Sequence, residues 1–143
     1  MKRLMFIFSC LWVFTLPVLY SQVQDTTFSN KYKRDISADR SMEDYQKSAE
    51  YFLEVLKKDT NDLEAYYKLG MSYYKLSDYK GAIATYDRLV EKDYCFNYAL
   101  TNRAVCKFFL QDRDGACQDI IKALTCNYPD MSSTREDYEL FCK

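Results

Sequence analysis

The chain matches itself at a spacing of 34 residues. Asp44, Asp78 and Asp112 align, as do Ser48, Ala82 and Ala116, then Phe52, Tyr86 and Ile120, then Val55, Leu89 and Ala123. A period of 34 belongs to stacked helix–turn–helix units. One such unit cannot cover its own apolar face, so its neighbours must stack on it. The period therefore predicts an all-α solenoid and favours binding over chemistry. Composition agrees: 143 residues, 48% hydrophobic, with 14 Tyr and 9 Phe but only 3 Gly and 2 Pro. Large side chains and few helix breakers suit closely connected helices.

Function classes fall away on composition. The chain has no His, the commonest general base and metal ligand. No Ser is paired with a base, and no glycine-rich phosphate loop occurs. An enzyme is not expected, nor a cofactor or a metal site. Net charge is −1 with no basic stripe, so nucleic acid is not an expected partner.

The N-terminus reads as an export signal. Met1-Lys2-Arg3 precedes an apolar run from Leu4 to Leu16, Pro17 breaks it, and Leu19-Tyr20-Ser21 ends on a small residue. Residues 1–21 are the expected signal peptide, with cleavage after Ser21. Losing Lys2 and Arg3 takes the net charge from −1 to about −3. The alternative is an uncleaved Leu4–Tyr20 anchor, at the lower limit of length for a membrane helix, and only then is the membrane involved. A periplasmic or secreted location, in a bacterial envelope, is the expectation.

Residues 22–40 read as a polar, aperiodic lead or a degenerate helix, and 41–143 as the helical domain. Within it, 41–60 supplies a partial repeat, 61–94 and 95–128 supply two full repeats, and 132–143 a capping helix. Ser41 is the expected N-cap of the first helix, with Glu43 and Asp44 in its first turn. Ser77–Lys80 and Gln111–Asp114 are the expected turns inside the repeats, with second helices from Gly81 and Gly115.

The segment from Ser41 to Cys126 resembles tetratricopeptide repeats. Tyr66, Leu69-Gly70 and Tyr73 match the first helix of that pattern, and Ala82, Tyr86 and Leu89 match the second. The next unit offers Leu100, Arg103-Ala104, Lys107, Ala116, Ile120 and Ala123, and the partial unit Ser48, Phe52 and Val55. Three positions depart: Tyr94 stands where Pro is usual, Lys107 where an aromatic is, and Arg103 where Leu is. The resemblance implies a concave face, built from the first helix of each unit, that binds an extended peptide or helix of a partner protein. The outward positions expected there are Glu64, Tyr67, Met71, Tyr74 and Lys75, then Tyr98, Thr101, Asn102, Val105, Phe108 and Phe109. Some family members clamp a C-terminal carboxylate with Lys and Asn. Tyr67 and Met71 take those places here, and Asn102 alone matches, so that ligand is not expected.

Cys10 leaves with the signal, and five cysteines remain. No C-x-x-C occurs, so zinc or thioredoxin-type chemistry is poorly supported. In an exported chain, disulfides are the expectation. Helix heights place Cys117 level with Cys142, and Cys95 and Cys126 at the other end of the stack. Cys106 with Cys142 is the rival pairing, and five reduced thiols the remaining one. The odd cysteine leaves room for a disulfide-linked or thiol-active protein, and an uncleaved anchor for a membrane-tethered accessory subunit.

Overall fold

The computed structural model describes residues 41–143 apart from Asn97. The expected signal peptide, 1–21, and the expected lead, 22–40, lie outside the described residues. Among those described there are six helices: α1 (Met42–Lys58), α2 (Leu63–Lys75), α3 (Tyr79–Lys92), α4 (Ala99–Phe109), α5 (Arg113–Ala123) and α6 (Ser132–Phe141). Each packs on its sequence neighbours, and α2 also touches α4. This is the all-α, tetratricopeptide-like solenoid that the period predicts.

Capping explains where the helices begin. Ser41 accepts from the Asp44 amide while the Asp44 carboxylate accepts from the Ser41 amide, a reciprocal pair that starts α1. The repeated aspartates one and two periods later act differently. Asp78 Oδ1 accepts from the Gly81 amide and Asp112 Oδ1 from the Gly115 amide, each at 2.9 Å. Both therefore sit at N-cap positions, and the second helices begin at Tyr79 and Arg113, two residues before the expected Gly81 and Gly115. The turns are correspondingly tighter than expected. Ser77 (φ 60°) and Gln111 (φ 65°), 34 residues apart, take the left-handed conformation that closes each one. The equivalent position in the partial unit, Glu43, is helical, because α1 runs through the place where a turn would be.

The core is the buried stripe common to successive units. Ala49, Leu56, Ala65 and Leu69 form one cluster, with Phe52, Val55, Tyr66 and Tyr73 packed against it. Leu100, Ala123 and Cys126 form another, beside Val90, Cys95 and Tyr128. Between them Tyr86, wholly buried, lies flat against Gly70. A Cβ at position 70 would stand 2.6 Å from the Tyr86 ring, so only glycine lets α2 and α3 come this close. We expect Gly70→Ala to cost roughly 1–3 kcal/mol by overpacking. In chemical denaturation the same change should cost clearly less in a Tyr86→Leu background, since the clash is with that ring.

Two disulfides join the pairs that helix height favoured: Cys95–Cys126 and Cys117–Cys142, each with Cα atoms 5.5 Å apart. The first ties the α3–α4 connection to the residues after α5, and the second ties α5 to the end of α6. Closing a loop of this size stabilises by about 2–4 kcal/mol. Cys142→Ser should lower stability by that order, and hydrogen exchange should show α6 opening before α2 and α3.

Candidate functional site

The expected concave residues come from α2 and α4, the first helices of the two full units. The structure brings Tyr67, Met71 and Asn102 together: Asn102 Nδ2 lies 3.5 Å from the Tyr67 hydroxyl and 3.6 Å from Met71 Sδ. All three are half-buried, as are Lys75, Tyr98, Thr101 and Phe109, and Glu64 is exposed. Glu64 pairs with Lys68 at 3.3 Å. The Tyr67 ring meets Phe96 edge-on, with centroids 6.1 Å apart. Tyr98 lies 4.3 Å from the Tyr128 ring, and its hydroxyl donates to the Asp130 carbonyl. The Thr101 hydroxyl is buried and finds no partner among the described residues.

Three of the expected outward residues are not outward. Tyr74, Val105 and Phe108 are buried. Tyr74 faces both Tyr79 and Phe109, at 6.1 and 6.4 Å between centroids, while Tyr79 and Phe109 stack at 4.6 Å. Side chains at the C-terminal end of α2 and α4 therefore meet one another and the start of α3 instead of solvent.

A groove between α1 and α2 shares Tyr67, Met71 and Lys75 with this face. Tyr45, Ser48 and Phe52 of α1 form one wall, and Tyr67, Lys68, Met71, Ser72 and Lys75 of α2 the other. Its volume is about 460 Å³. The two walls are joined at the floor by a hydrogen bond from the Ser72 hydroxyl to the Ser48 hydroxyl, 2.9 Å.

Beneath α4 lies a charged cluster that no sequence pattern announced. Arg103 departs from the expected Leu, and Asp119 sits where the preceding unit has Thr85. Arg103 donates to both Asp119 oxygens at 2.8 and 2.6 Å, and to Asp87 of the preceding unit at 2.7 Å. Lys107 reaches Asp119 at 2.8 Å. Both unexpected cations, Arg103 and Lys107, thus answer one buried carboxylate. Burial disfavours the charge on Arg103, but Asp119 first and Asp87 second outweigh it and hold the guanidinium above its ordinary pKa. The sequence signs of the cluster were the departures at Arg103 and Lys107 and an aspartate on the inward face of α5. Removing one partner of a buried pair strands the other, at about 3–5 kcal/mol. We expect Asp119→Asn to destabilise more than Arg103→Met, because it leaves Arg103 and Lys107 facing each other. Thermal melts of the two variants decide this.

The fifth cysteine, Cys106, is buried and unpaired with any other. Burial pushes its thiol up from 9.0 to about 12. A raised folded-state pKa contributes stability that is complete below about pH 9 and is lost as pH rises toward 12. Native Cys106 should resist iodoacetamide at pH 8 and react once unfolded. Cys106→Ala should flatten the loss of stability between pH 9 and 12.

Among the described residues, no three His, Cys, Asp or Glu side chains converge in a metal-binding group. No described helix is long and apolar enough to cross a membrane. Residues 64–93, spanning nearly all of α2 and α3, match the tetratricopeptide repeat family. No curated protein matches the chain.

Proposed function

From a chain that carries a tetratricopeptide repeat at 64–93, we propose a non-enzymatic interaction module that works in an exported compartment. It binds an extended peptide or a helix of a partner protein on the face made by α2 and α4. The observation that carries this reading is the half-exposed cluster of Tyr67, Met71 and Asn102, contributed by two successive first helices. An aromatic, a thioether and an amide side by side offer apolar contact area, an adaptable surface and backbone hydrogen bonding. Glu64, Lys75, Tyr98, Thr101 and Phe109 border it, and the buried Tyr74, Val105 and Phe108 support it from behind. Two full units make a short face, so affinity for a single peptide should be on the order of micromolar.

Export is supported by the signal-like residues 1–21 and by the two disulfides, which persist in oxidising compartments. The buried Cys106 thiol, which burial keeps protonated, argues against exchange chemistry or an interchain bridge through that residue.

Photo-crosslinking in the native host tests the face. A photoreactive aromatic amino acid placed at Tyr67 or Asn102 should give a discrete adduct with a partner. The same group at the exposed Ile121 on α5 should give none. Equal labelling at all three positions would sink the site assignment. Intact mass of the secreted protein should begin at Gln22, and a mass retaining Met1 would overturn export by cleavage.

A further inference from the structure

The last helix belongs to the repeat. Advancing α4 by 34 residues gives α6: Leu100 becomes Thr134, Arg103 becomes Asp137, Ala104 becomes Tyr138 and Phe108 becomes Cys142. α6 is therefore a third first helix, packed on α5 as α4 is packed on α3. In the same register Arg135 follows Tyr67 and Thr101, and Glu136 follows Lys68 and Asn102. Both are exposed, and they continue onto α6 the face that α2 and α4 make.

What holds α6 differs from what holds its predecessors. Where α4 buries Leu100, α6 buries Thr134, and a carboxylate, Asp137, is buried one turn on. Tyr138, with Lys143 over its ring, stands where Gly70 and Ala104 let a second helix come close. At the N-cap, Met131 makes no side-chain capping bond. Ten residues with polar inward positions and no side-chain cap have little hold of their own.

The two bridges also fall on the period, at contacts of different kinds. Subtracting 34 from Cys95 and Cys126 gives Asn61 and Lys92, two exposed residues that meet one unit earlier in a hydrogen bond of 2.8 Å. Cys95–Cys126 thus takes the place of a polar tie at the edge of a unit whose helices are already packed. Subtracting 34 from Cys117 and Cys142 gives Ile83 and Phe108, on a second helix and the first helix that follows it. Cys117–Cys142 thus takes the place of two apolar side chains between units.

Resting on the interaction-module reading, the structure assigns Cys117–Cys142 as a thiol-opened latch. A dithiol reductant cleaves it in the folded chain, α6 leaves α5, and the binding face loses its third wall while α1 to α5 stay assembled. One thiolate of the dithiol attacks a sulfur of the bridge and expels the other as a thiolate. The second thiol then displaces the first from the mixed disulfide. The dithiol ends as a disulfide, and its two electrons and two protons end on the Cys117 and Cys142 thiols. Both cysteines of the latch are half-buried, whereas Cys126 of the other bridge is buried, so attack reaches the latch first.

Dithiothreitol is the probe, titrated onto the oxidised full chain with iodoacetamide trapping, peptide mass mapping and hydrogen exchange. Cys117 and Cys142 should be trapped at a reductant concentration at least about tenfold below that needed for Cys95 and Cys126. At that concentration the α6 amides should exchange about a hundredfold faster, with α2 to α5 unchanged. Cys117→Ser/Cys142→Ser should show the same pattern without reductant. Both bridges opening together, protection lost along the whole array, or α6 still protected after its bridge is cut overturns the latch. In the native host, a photoreactive residue at Arg135 should capture the partner that Tyr67 captures, and lose it in the Cys117→Ser/Cys142→Ser chain. An Arg135 adduct indifferent to the bridge overturns the gating of the face. Absence of adducts at Tyr67, Asn102 and Arg135, with α6 still released by reduction, sinks the interaction-module reading and leaves the opening of α6 standing.

Discussion

The second helix of this array, α2, is held in a trough made by two other helices, and much of the structure depends on that constraint. α2 lies between α3 and α4, and its closest approach is set by a glycine against a buried tyrosine ring. A helix of 13 residues has little stability of its own in water. It persists because one side is buried on α3, another on α4 and a third on α1. The small residues at 70, 82, 104 and 116 are therefore a single requirement met four times: paired backbones must approach until the aromatic side chains between them have no room to spare.

Packing alone does not hold the last full unit. Where the preceding unit has Leu69 and Tyr73, this one has Arg103 and Lys107, and two cations on an inward face would force the helices apart. Asp119 reverses that outcome. It is 1% exposed and takes three hydrogen-bonded contacts, two from Arg103 and one from Lys107, while Arg103 extends to Asp87 on the unit before. The bond to Asp87 crosses from one unit to the next. A buried pair of this kind is a poor source of net stability but a strong constraint on register. A slip of α4 along α5 would break a bidentate contact and strand charge, whereas an apolar contact would slide to a neighbouring minimum.

The fold was legible because it rests on a period, and a period survives individual departures. Ser41, the apolar stripe from Tyr45 to Leu56, and the Leu69-Gly70 step each located their helices without reference to anything distant. The cysteine pairs could be anticipated because antiparallel helices convert sequence offsets into heights. The turns were misjudged by two residues, since Asp78 and Asp112 resemble ordinary turn residues until their side chains are seen to accept from Gly81 and Gly115. The concave face was half legible. Sequence spacing gives the side of a helix on which a residue lies, but not how far the next helix leans over it. Tyr74, Val105 and Phe108 were lost to that lean. Arg103 and Lys107 were legible only as departures from the pattern; their pairing with Asp119 was not, because Arg103 and Asp119 lie 16 residues apart on different helices.

The C-terminal end of the array is closed covalently, and that bears on how a short solenoid holds together. At the C-terminal end α6 covers α5, and the Cys117–Cys142 bridge holds it there irrespective of how much apolar surface it buries. A short helix with Arg135, Glu136 and Glu139 exposed would otherwise open readily, and the covalent link restrains it.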